Sequence, residues 1–481
     1  MLAGALCKKE KKMEEKKYDV LIVGGGISGA AAGIAAARMG ADCLLVEQYG
    51  FLGGMLTAGG VGPMMTFHAG SLQVVRGICE EVVARMKQKG QSPGHIPDST
   101  GYTYSVTPFD AEGMKETLEE MYLEAGGRLL YHTAAAGVTC RGNRLQEITV
   151  ANKGGLSRLR ADIWIDATGD GDLCQWAGVP MEKGRPEDGK NMPLTMNIKM
   201  GNVDTKKVRE YMREHLDQFT HLNAQNVDLI DRAVRLSVSG FHREFRQALA
   251  ENRVFSVRRD LLFFETNTPG EVIVNTASVC GCDPTDPWAL SRAETLGRQR
   301  AAALAGFIKA EIPGFQQARV LQTGPAIGVR SSRRLCGKYC LTAEDILTGK
   351  RFWDAVAYGG YPVDVPPPSG DKDRVHAGRM QKIRRLTGGE VYGVPYRCLL
   401  NDTIENLIAA GRCISASFEA QGAIRVTPIA GAIGQAAGVA AGMAAAEKKL
   451  PAELSAAELR KNLISQGAFL LPEEEEHEEN V

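Results

Sequence analysis

The chain has 481 residues, of which 44% are hydrophobic and 24% charged, as in globular proteins of two or three domains. Its 57 lysines and arginines balance 57 aspartates and glutamates, and this zero net charge argues against nucleic acid as a partner. No apolar run reaches the roughly 20 residues that span a bilayer, so we expect no membrane partner.

The two ends of the chain are predicted to lie outside the fold. Residues 1–17 form a charged arm whose apolar start makes a poor signal peptide, and residues 448–481 comprise a helix and an acidic tail. The eleven cysteines are scattered, which is typical of free, mostly buried thiols in a reducing compartment. The sequence therefore predicts a cytoplasmic protein.

The stretch YDVLIVGGGISGAAAGIAAARMGADCLLVE (18–47) has the pattern of a strand, a glycine turn, a helix and a second strand. Gly24 permits the tight turn, Gly26 lets the backbone approach a pyrophosphate, and Gly29 lets helix and strand pack closely. The start of the helix offers free N–H groups and a positive dipole end to the phosphates. Glu47 ends the second strand and can accept the hydroxyls of an adenosine ribose, which favours FAD or NAD over NADP.

A glycine-rich loop follows this unit. Residues 48–60 include five glycines, among them Gly53 and Gly54, and the predicted use of the loop is close backbone approach to a ligand. Beyond it, a helix is predicted from Val74 to Lys87, and another ends at Ala125 with Thr107 as its N-cap. Three strands are then predicted, at 128–140, 144–152 and 156–165.

The last of these strands runs into the sequence DATGDGD (166–172). Gly169 permits backbone approach to a ligand. Asp170 and Asp172 are equally suited to capping the helix that follows.

From Asn191 the pattern changes, and residues 191–391 are predicted to form an inserted domain of mixed helices and strands. Its predicted elements are a charged helical stretch over 203–252, a hairpin over 261–277, a long helix over 287–310 and a short helix with a capping box between Thr342 and Asp345.

The chain then returns to the first domain with a buried strand, NLIAAGR (406–412). The helix that follows has Pro428 in its first turn and a face of glycines at 431, 434, 438 and 442. This face predicts tight packing against a core element, and it is also suited to a dimer contact.

Several of these motifs together resemble the bacterial FAD-dependent oxidoreductases, a family related to the fumarate reductase flavoproteins. The motifs are GGMLTAGGVGPMMTFH, GHIPDSTG, VTPFD, DATGDGD, GVRSSRR, GGYPVD and NLIAAGRCISAS. The resemblance spans roughly Tyr18 to Ala446. It implies an α/β fold of the glutathione reductase type, in which a discontinuous Rossmann-like FAD-binding domain (18–190 and 392–447) carries a β-meander and an inserted α+β substrate or cap domain (191–391).

The resemblance also implies which residues bind FAD, without a covalent bond. They lie in the turn, in the glycine loop, after the third strand and near the last helix, whose N-terminus would point at the flavin. These residues are Gly24, Gly26, Ile27, Ser28, Gly29, Glu47, Gln48, Gly53, Gly54, Met55, Thr168, Gly169, Asp170, Gly411, Arg412, Arg425 and Ile429.

The candidate catalytic residues are a histidine and a set of arginines. His68 follows the glycine loop, and a neutral imidazole near flavin N5 can take a proton during hydride transfer; His95 is a weaker candidate. Arg330 and Arg333 lie in GVRSSRR, where an arginine can bind a carboxylate through a bidentate fork, or can instead face solvent or pair with acids. Arg425 is expected over the flavin face.

Two cysteine pairs, Cys280 with Cys282 and Cys336 with Cys340, have spacings that match no strong metal motif, and no metal is predicted. The chain also lacks a second GxGxxG unit and a CxxC pair near the first turn, which argues against a disulfide reductase with its own NAD domain.

These observations predict an FAD-dependent oxidoreductase that transfers a hydride between flavin N5 and a carbon of a small polar substrate, which can carry a carboxylate. The alternatives are an oxidase or monooxygenase, a flavin subunit that passes electrons to an unknown partner protein, and an RNA-modifying factor in which FAD is structural. A homo-oligomer is left open.

Overall fold

The computed structural model describes residues 16–369 and 389–472. Most of the predicted charged arm and of the acidic tail lies outside these residues. Buried apolar side chains form two separate cores. The second core contains only residues between Leu194 and Ile327, and the first combines residues from both sides of that segment, including Leu335 and Val391.

The first part of the chain forms most of the first core. Its elements are β1 (Lys17–Val23), α1 (Ile27–Arg38), β2 (Cys43–Val46), β3 (His68–Ala69), β4 (Leu72–Gln73), α2 (Ile78–Gln88), β5 (Ile96–Pro97), β6 (Ser105–Val106), α3 (Ala111–Glu124), β7 (Arg128–Leu130), β8 (Ala134–Arg141), β9 (Arg144–Asn152), β10 (Gly155–Asp166), α4 (Asp172–Trp176) and β11 (Met181–Lys183).

The middle part forms the second core. Its elements are β12 (Leu194–Thr195), β13 (Ile198–Gly201), α5 (Thr205–Glu214), α6 (Leu229–Arg232), β14 (Ser237–Gly240), α7 (His242–Ala250), β15 (Leu261–Glu265), β16 (Val272–Val274), β17 (Ser278–Val279), α8 (Pro287–Glu311) and β18 (Arg319–Thr323).

The last part returns to the first core. Its elements are β19 (Arg333–Leu335), α9 (Ala343–Leu347), β20 (Ala355–Gly359), β21 (Tyr392–Pro395), β22 (Leu407–Ala409), α10 (Phe418–Ile424), α11 (Thr427–Glu447) and α12 (Ala456–Ser465).

A seven-stranded mixed sheet organises the first core. The order is β7-β2-β1-β10-β9-β8, and β22 pairs with β10 as well. Strands β7, β2, β1, β10 and β22 are parallel, as expected for strands whose apolar residues are buried on both faces. The predicted meander is formed by β8, β9 and the first half of β10, and the second half of β10 continues between β1 and β22. The meander therefore shares one sheet with the nucleotide-binding strands.

The second core is built on a five-stranded antiparallel sheet, ordered β14-β15-β16-β13-β18. The predicted hairpin is β15 and β16, and the predicted long helix is α8. The capping box of Thr342 and Asp345 is confirmed at α9. The prediction that 203–252 is entirely helical was wrong, because β14 occupies the middle of that stretch, where Ser237–Gly240 is buried on both faces.

Local boundaries in the first domain differ from the predictions in three places. Helix α3 begins at Ala111, because Asp110 rather than Thr107 caps it by accepting from Glu112 N. Helix α2 begins at Ile78, after Gly77 with a φ of 64°. The predicted strand 128–140 is divided into β7 and β8, since His132 between them has a φ of 51°, which a strand does not permit.

The glycine face of α11 packs against α1 within the same chain. A Cβ at Gly434 would lie 2.1 Å from Ser28 O, and one at Gly438 would lie 2.1 Å from Ala32 O. This face is therefore not available for the dimer contact suggested by the sequence.

By length and composition, α11 could also cross a membrane, contrary to our estimate that no apolar run is long enough. However, 83% of its most apolar window is buried inside the protein, and the buried core helix of a soluble protein has the same composition.

Candidate active site

The glycine turn lies at the carboxyl end of β1, and steric contacts explain Gly24 and Gly29. Gly24 has a φ of 99°, and a Cβ there would lie 2.4 Å from Ala167 O. A Cβ at Gly29 would lie 1.8 Å from Gly24 O, so no side chain fits between helix and strand. At Gly26 a Cβ would have only Gly54 Cα within 4 Å among the described residues. A side chain would therefore clash with neighbouring backbone at Gly24 and Gly29, whereas Gly26 leaves space for a phosphate.

Glu47 lies at the end of β2 and is buried, with 7% of its surface exposed. Gly25 N donates to its Oε2 at 2.5 Å, and Tyr49 N donates to its Oε1 at 2.8 Å. Burial raises its pKa, and the hydrogen bonds from the backbone lower it in part. A carboxylate has about four lone-pair sites, so both oxygens retain capacity for ribose hydroxyls.

The glycine loop folds back onto the turn. Gly53 has a φ of 110° and forms a parallel bridge with Gly26, and Gly53 N donates to Gly25 O. Gly54 follows with a φ of 56°, and a Cβ there would lie 2.7 Å from Gly26 Cα. Met55, the next residue, lines the main cavity of the protein. Backbone, rather than side chains, therefore forms this part of the site.

The segment after β10 meets the segment after β22 at the same edge of the sheet. Asp170 forms an ion pair with Arg412, and a Cβ at Gly169 would lie 2.4 Å from Arg412 Nη1. Thr168 is fixed below them, since its Oγ1 donates to buried Asp166 at 2.8 Å. A Cβ at Gly411, which has a φ of 84°, would lie 2.6 Å from Ser28 Oγ on α1.

Helix α11 begins at the cavity. Arg425, Val426 and Thr427 line the cavity, and Ile429 is fully buried one turn further on. The N-cap is Val426, which offers no side-chain acceptor, so the first N–H groups of the helix are free to meet a ligand.

These residues fit FAD on two observations. The turn at Gly26 has an open face toward which the start of α1 points. In addition, the buried Nε atoms of Arg412 and Arg425 have no hydrogen-bond partner in the described part of the chain. Buried donors without partners are costly, and an anionic or carbonyl-rich ligand would satisfy them.

The cavity next to these residues has a volume of about 700 Å³, large enough for a flavin ring and a small substrate. One wall comes from the first core, including Met55, Arg412 and Arg425. The opposite wall comes from the sheet and helices of the second core. The whole lining contains six arginines and two aspartates, so its charge is strongly positive.

Arg330 lies in this lining, as a catalytic role requires. It donates to Pro193 O at 2.7 Å, to Thr195 Oγ1 and to Asn275 Oδ1 at 3.1 Å. All three acceptors are neutral, and among the described residues no carboxylate pairs with it. Burial and, to a smaller extent, the charge of Arg425 together lower the pKa of Arg330 to about 10, and the charge of Asp364 opposes this shift.

The other arginines of GVRSSRR do not share this cavity. Arg333 pairs with Asp172, and its Nε donates to Asp170 O at 2.8 Å. Arg334 is almost fully buried and donates to Ala416 O and Gly184 O. The structure thus brings Arg330 and Arg425 into one cavity and directs Arg333 away from it.

His68 and His95 lie beside each other, outside the cavity lining. Their ring centroids are 5.1 Å apart, and His68 Nδ1 lies 2.8 Å from Ser105 Oγ. His95 contacts Thr107 Oγ1 at 2.7 Å and Glu80 Oε2 at 2.8 Å. Burial lowers the pKa of His68 to about 4, so its imidazole is neutral at pH 7.

Sequence reasoning missed the polar residues contributed by two other parts of the chain. Arg258 and Asp260 form an ion pair on the second-core wall, with Ser239 donating to Asp260. Tyr361 donates to Asp364 at 3.2 Å, and Asp364 also accepts from Arg425 at 3.3 Å. The GGYPVD motif contains this second pair and was the available signal for it.

The cysteines of the described residues are free thiols, and most are buried. In the same residues no group of three or more histidines, cysteines, aspartates or glutamates has a metal-binding arrangement.

Comparisons with known proteins identify relatives of the chain. No curated protein matches it. Three similar solved structures are a geranylgeranyl bacteriochlorophyll reductase-like protein of Thermoplasma acidophilum (14% identity, 94% of this chain and 87% of that one, TM-score 0.45), the p-nitrophenol 4-monooxygenase of Pseudomonas putida (10%, 94% and 84%, 0.44) and a myxobacterial chondrochloren halogenase (13%, 93% and 78%, 0.45).

The model of one protein family, described as FAD dependent oxidoreductase, matches residues 19–463. Because this match covers nearly the whole chain, the protein belongs to the FAD dependent oxidoreductase family, and its cofactor is FAD.

Proposed function

We propose that this enzyme transfers a hydride between N5 of FAD and a carbon of a small polar substrate, and that the substrate carries a carboxylate bound by Arg330. Bound FAD supplies the two-electron redox chemistry. The cavity supports this proposal because Met55, Arg412 and Arg425, which we assign to FAD binding, line it together with the cation Arg330.

The observation that carries the proposal is the environment of Arg330. The Arg330 guanidinium is only partly exposed to water and its hydrogen-bond acceptors among the described residues are all neutral, so a bound anion would stabilise it. A substrate carboxylate would supply the missing charge through a bidentate pair. The bonds to Pro193, Thr195 and Asn275 hold the guanidinium in place before the substrate arrives, which reduces the entropy lost on binding.

Proton transfer is assigned to the same wall. An arginine with a pKa of about 10 releases a proton more readily than an ordinary guanidinium, so Arg330 is our candidate acid. Burial raises the pKa of Tyr361 well above its usual value, so its hydroxyl stays protonated and donates to Asp364, which also accepts from Arg425. The catalytic roles of His68, Arg333 and Arg425 stay predictions.

The test is anaerobic bleaching of the FAD-loaded enzyme by a panel of small carboxylic acids. With any acid that bleaches the flavin, Arg330→Gln should slow bleaching by about a hundredfold or more while FAD content is unchanged. Arg319→Gln, on the exposed strand β18, is the matched control and should behave as wild type. Equal bleaching in Arg330→Gln and wild type would refute the role of Arg330.

Two further measurements separate the alternatives. Loss of turnover in His68→Asn, with full activity in Arg330→Lys, would transfer the proton role to the histidine. Rapid oxygen consumption on adding substrate would favour an oxidase or monooxygenase over a dehydrogenase. An unknown electron partner, a cytoplasmic location and a homo-oligomer remain predictions from the sequence.

A further inference from the structure

The cavity contains a second cation without a carboxylate partner, on the wall opposite the cofactor residues. Arg246 lies on α7, lines the cavity and forms no ion pair with any described residue. Its neighbour one turn earlier, His242, lines the cavity too, because residues four apart on a helix share a face. Neither aspartate of the cavity lining, Asp260 or Asp364, forms an ion pair with Arg246; they pair with Arg258 and Arg425.

A series of hydrogen bonds connects Arg258 to His242. His242 Nε2 lies 3.2 Å from Thr220 Oγ1, which donates to Asp260, and Asp260 pairs with Arg258. Nη2 of Arg258 donates to Asp260, whereas the buried Nε of Arg258 has no hydrogen-bond partner among the described residues. We call Arg246 and Arg258 the outer cationic cluster; His242 lies on the same helix face as Arg246.

The ion pairs within the cavity show how much positive charge is left for a ligand. Asp260 pairs with Arg258, Asp364 pairs with Arg425, and Asp170 pairs with Arg412 from outside the lining. Arg259 makes other interactions, and Arg330 and Arg246 are left without a carboxylate in the described part of the chain. They come from different elements, one in the segment before β19 and one on α7.

We propose that the substrate carries two anionic groups, one bound by Arg330 and the other, a carboxylate or a phosphate, bound by the outer cationic cluster with Arg246 as its main ligand. This inference rests on the proposed function, since it adds a second anchor to the same substrate. Binding at both ends would fix the reacting carbon between the walls, which is how remote contacts contribute to catalysis.

The test compares anions that differ in the number of charged groups. Acetate, malonate, succinate, glutarate and phosphoglycolate are titrated into the FAD-loaded enzyme, and binding is measured by calorimetry together with the visible flavin spectrum. We expect at least one doubly anionic compound to bind about tenfold or more tightly than acetate. A preference for phosphoglycolate over the dicarboxylates would identify the outer group as a phosphate, and the reverse as a carboxylate.

Arg246→Gln should reduce the affinity for the doubly anionic compound to about the level of acetate and leave acetate binding unchanged. Arg246 is exposed on α7, so its replacement should not affect folding. Arg243→Gln, one turn away on the same helix and outside the cavity lining, is the matched control.

Equal affinity for acetate and every doubly anionic compound would overturn the second anchor, as would an unchanged preference in Arg246→Gln. The proposed function fails in a different way. If anions bind by calorimetry but none perturbs the flavin and Arg330→Gln binds them normally, Arg330 is not the substrate anchor beside the flavin.

Discussion

The pKa of Asp172, beside the cofactor-binding edge of the sheet, is set by burial and by neighbouring charges. Burial raises its pKa to about 6, and the nearby charges of Asp166 and Asp170 add to this rise, while Arg333 and Arg412 lower it. Its carboxyl group lies in the first turn of α4 and pairs with Arg333. The group therefore titrates close to neutral pH, well above an ordinary aspartate.

The consequence for stability has a definite sign. In the folded protein Asp172 binds its proton more tightly than in the unfolded chain, so its contribution is fully present below about pH 4 and is lost as pH rises through 6. Between pH 5 and pH 7.5 the free energy of unfolding of the wild type should fall by about 1 kcal/mol more than that of Asp172→Asn. Urea unfolding with FAD in fixed excess measures this. Parallel pH profiles for the two proteins would contradict the shifted pKa.

At the scale of elements, the contact between α1 and α11 joins the cofactor turn to the end of the fold. Ser28, in the first turn of α1, donates to Ala430 O on α11 at 2.9 Å. The glycines of α11 bring the two helix backbones into contact, and both helices begin at the cofactor-binding edge. A change in the distance between α1 and α11 should therefore change the affinity for FAD.

Gly438→Ala should destabilise the protein by about 1–3 kcal/mol, because the new Cβ would lie 2.1 Å from Ala32 O and must separate the helices. FAD affinity should fall as well. Gly306→Ala is the matched control, since Gly306 lies within α8 with open space around its Cα, and alanine there should be neutral or stabilise by up to about 1 kcal/mol. Thermal unfolding and FAD titration of both variants check this. A loss in Gly306→Ala equal to that in Gly438→Ala would show that helix spacing is not the cause.

At the scale of the whole molecule, the contacts that could be predicted from the sequence are those between residues of one short motif. The turn at Gly24, Gly26 and Gly29 and the acid Glu47 fall within one strand–helix–strand unit, so their spacing along the chain is also their arrangement in space. The outer wall of the cavity could not be predicted in this way. Arg258 and Arg246 lie in a segment of more than a hundred residues with its own core, and only the tertiary fold brings that segment to the same cavity as Arg412 and Arg425.

Residues that are close together in the sequence can also face different sides of the chain where the backbone is extended. Arg330 and Arg333 are three positions apart, yet only Arg330 lines the cavity, because side chains in extended backbone alternate between faces and β19 begins at Arg333. The motif GVRSSRR contains these arginines close together in the sequence, but it does not show that Arg333 belongs to a strand paired with β11 whereas Arg330 lies before that strand.

The cofactor assignment gives the last prediction, which concerns the protein as purified. The visible spectrum should be that of a flavin, and acid precipitation should release it into the supernatant as FAD, because none of the residues that we assign to FAD binding is a cysteine or a histidine. Glu47→Gln should retain the fold and bind FAD about tenfold or more weakly, since a neutral amide at this buried position accepts ribose hydroxyls less strongly than a carboxylate. Flavin that stays with the precipitate would instead indicate a covalent bond, and a colourless protein that binds NAD but not added FAD would overturn the assignment of the turn.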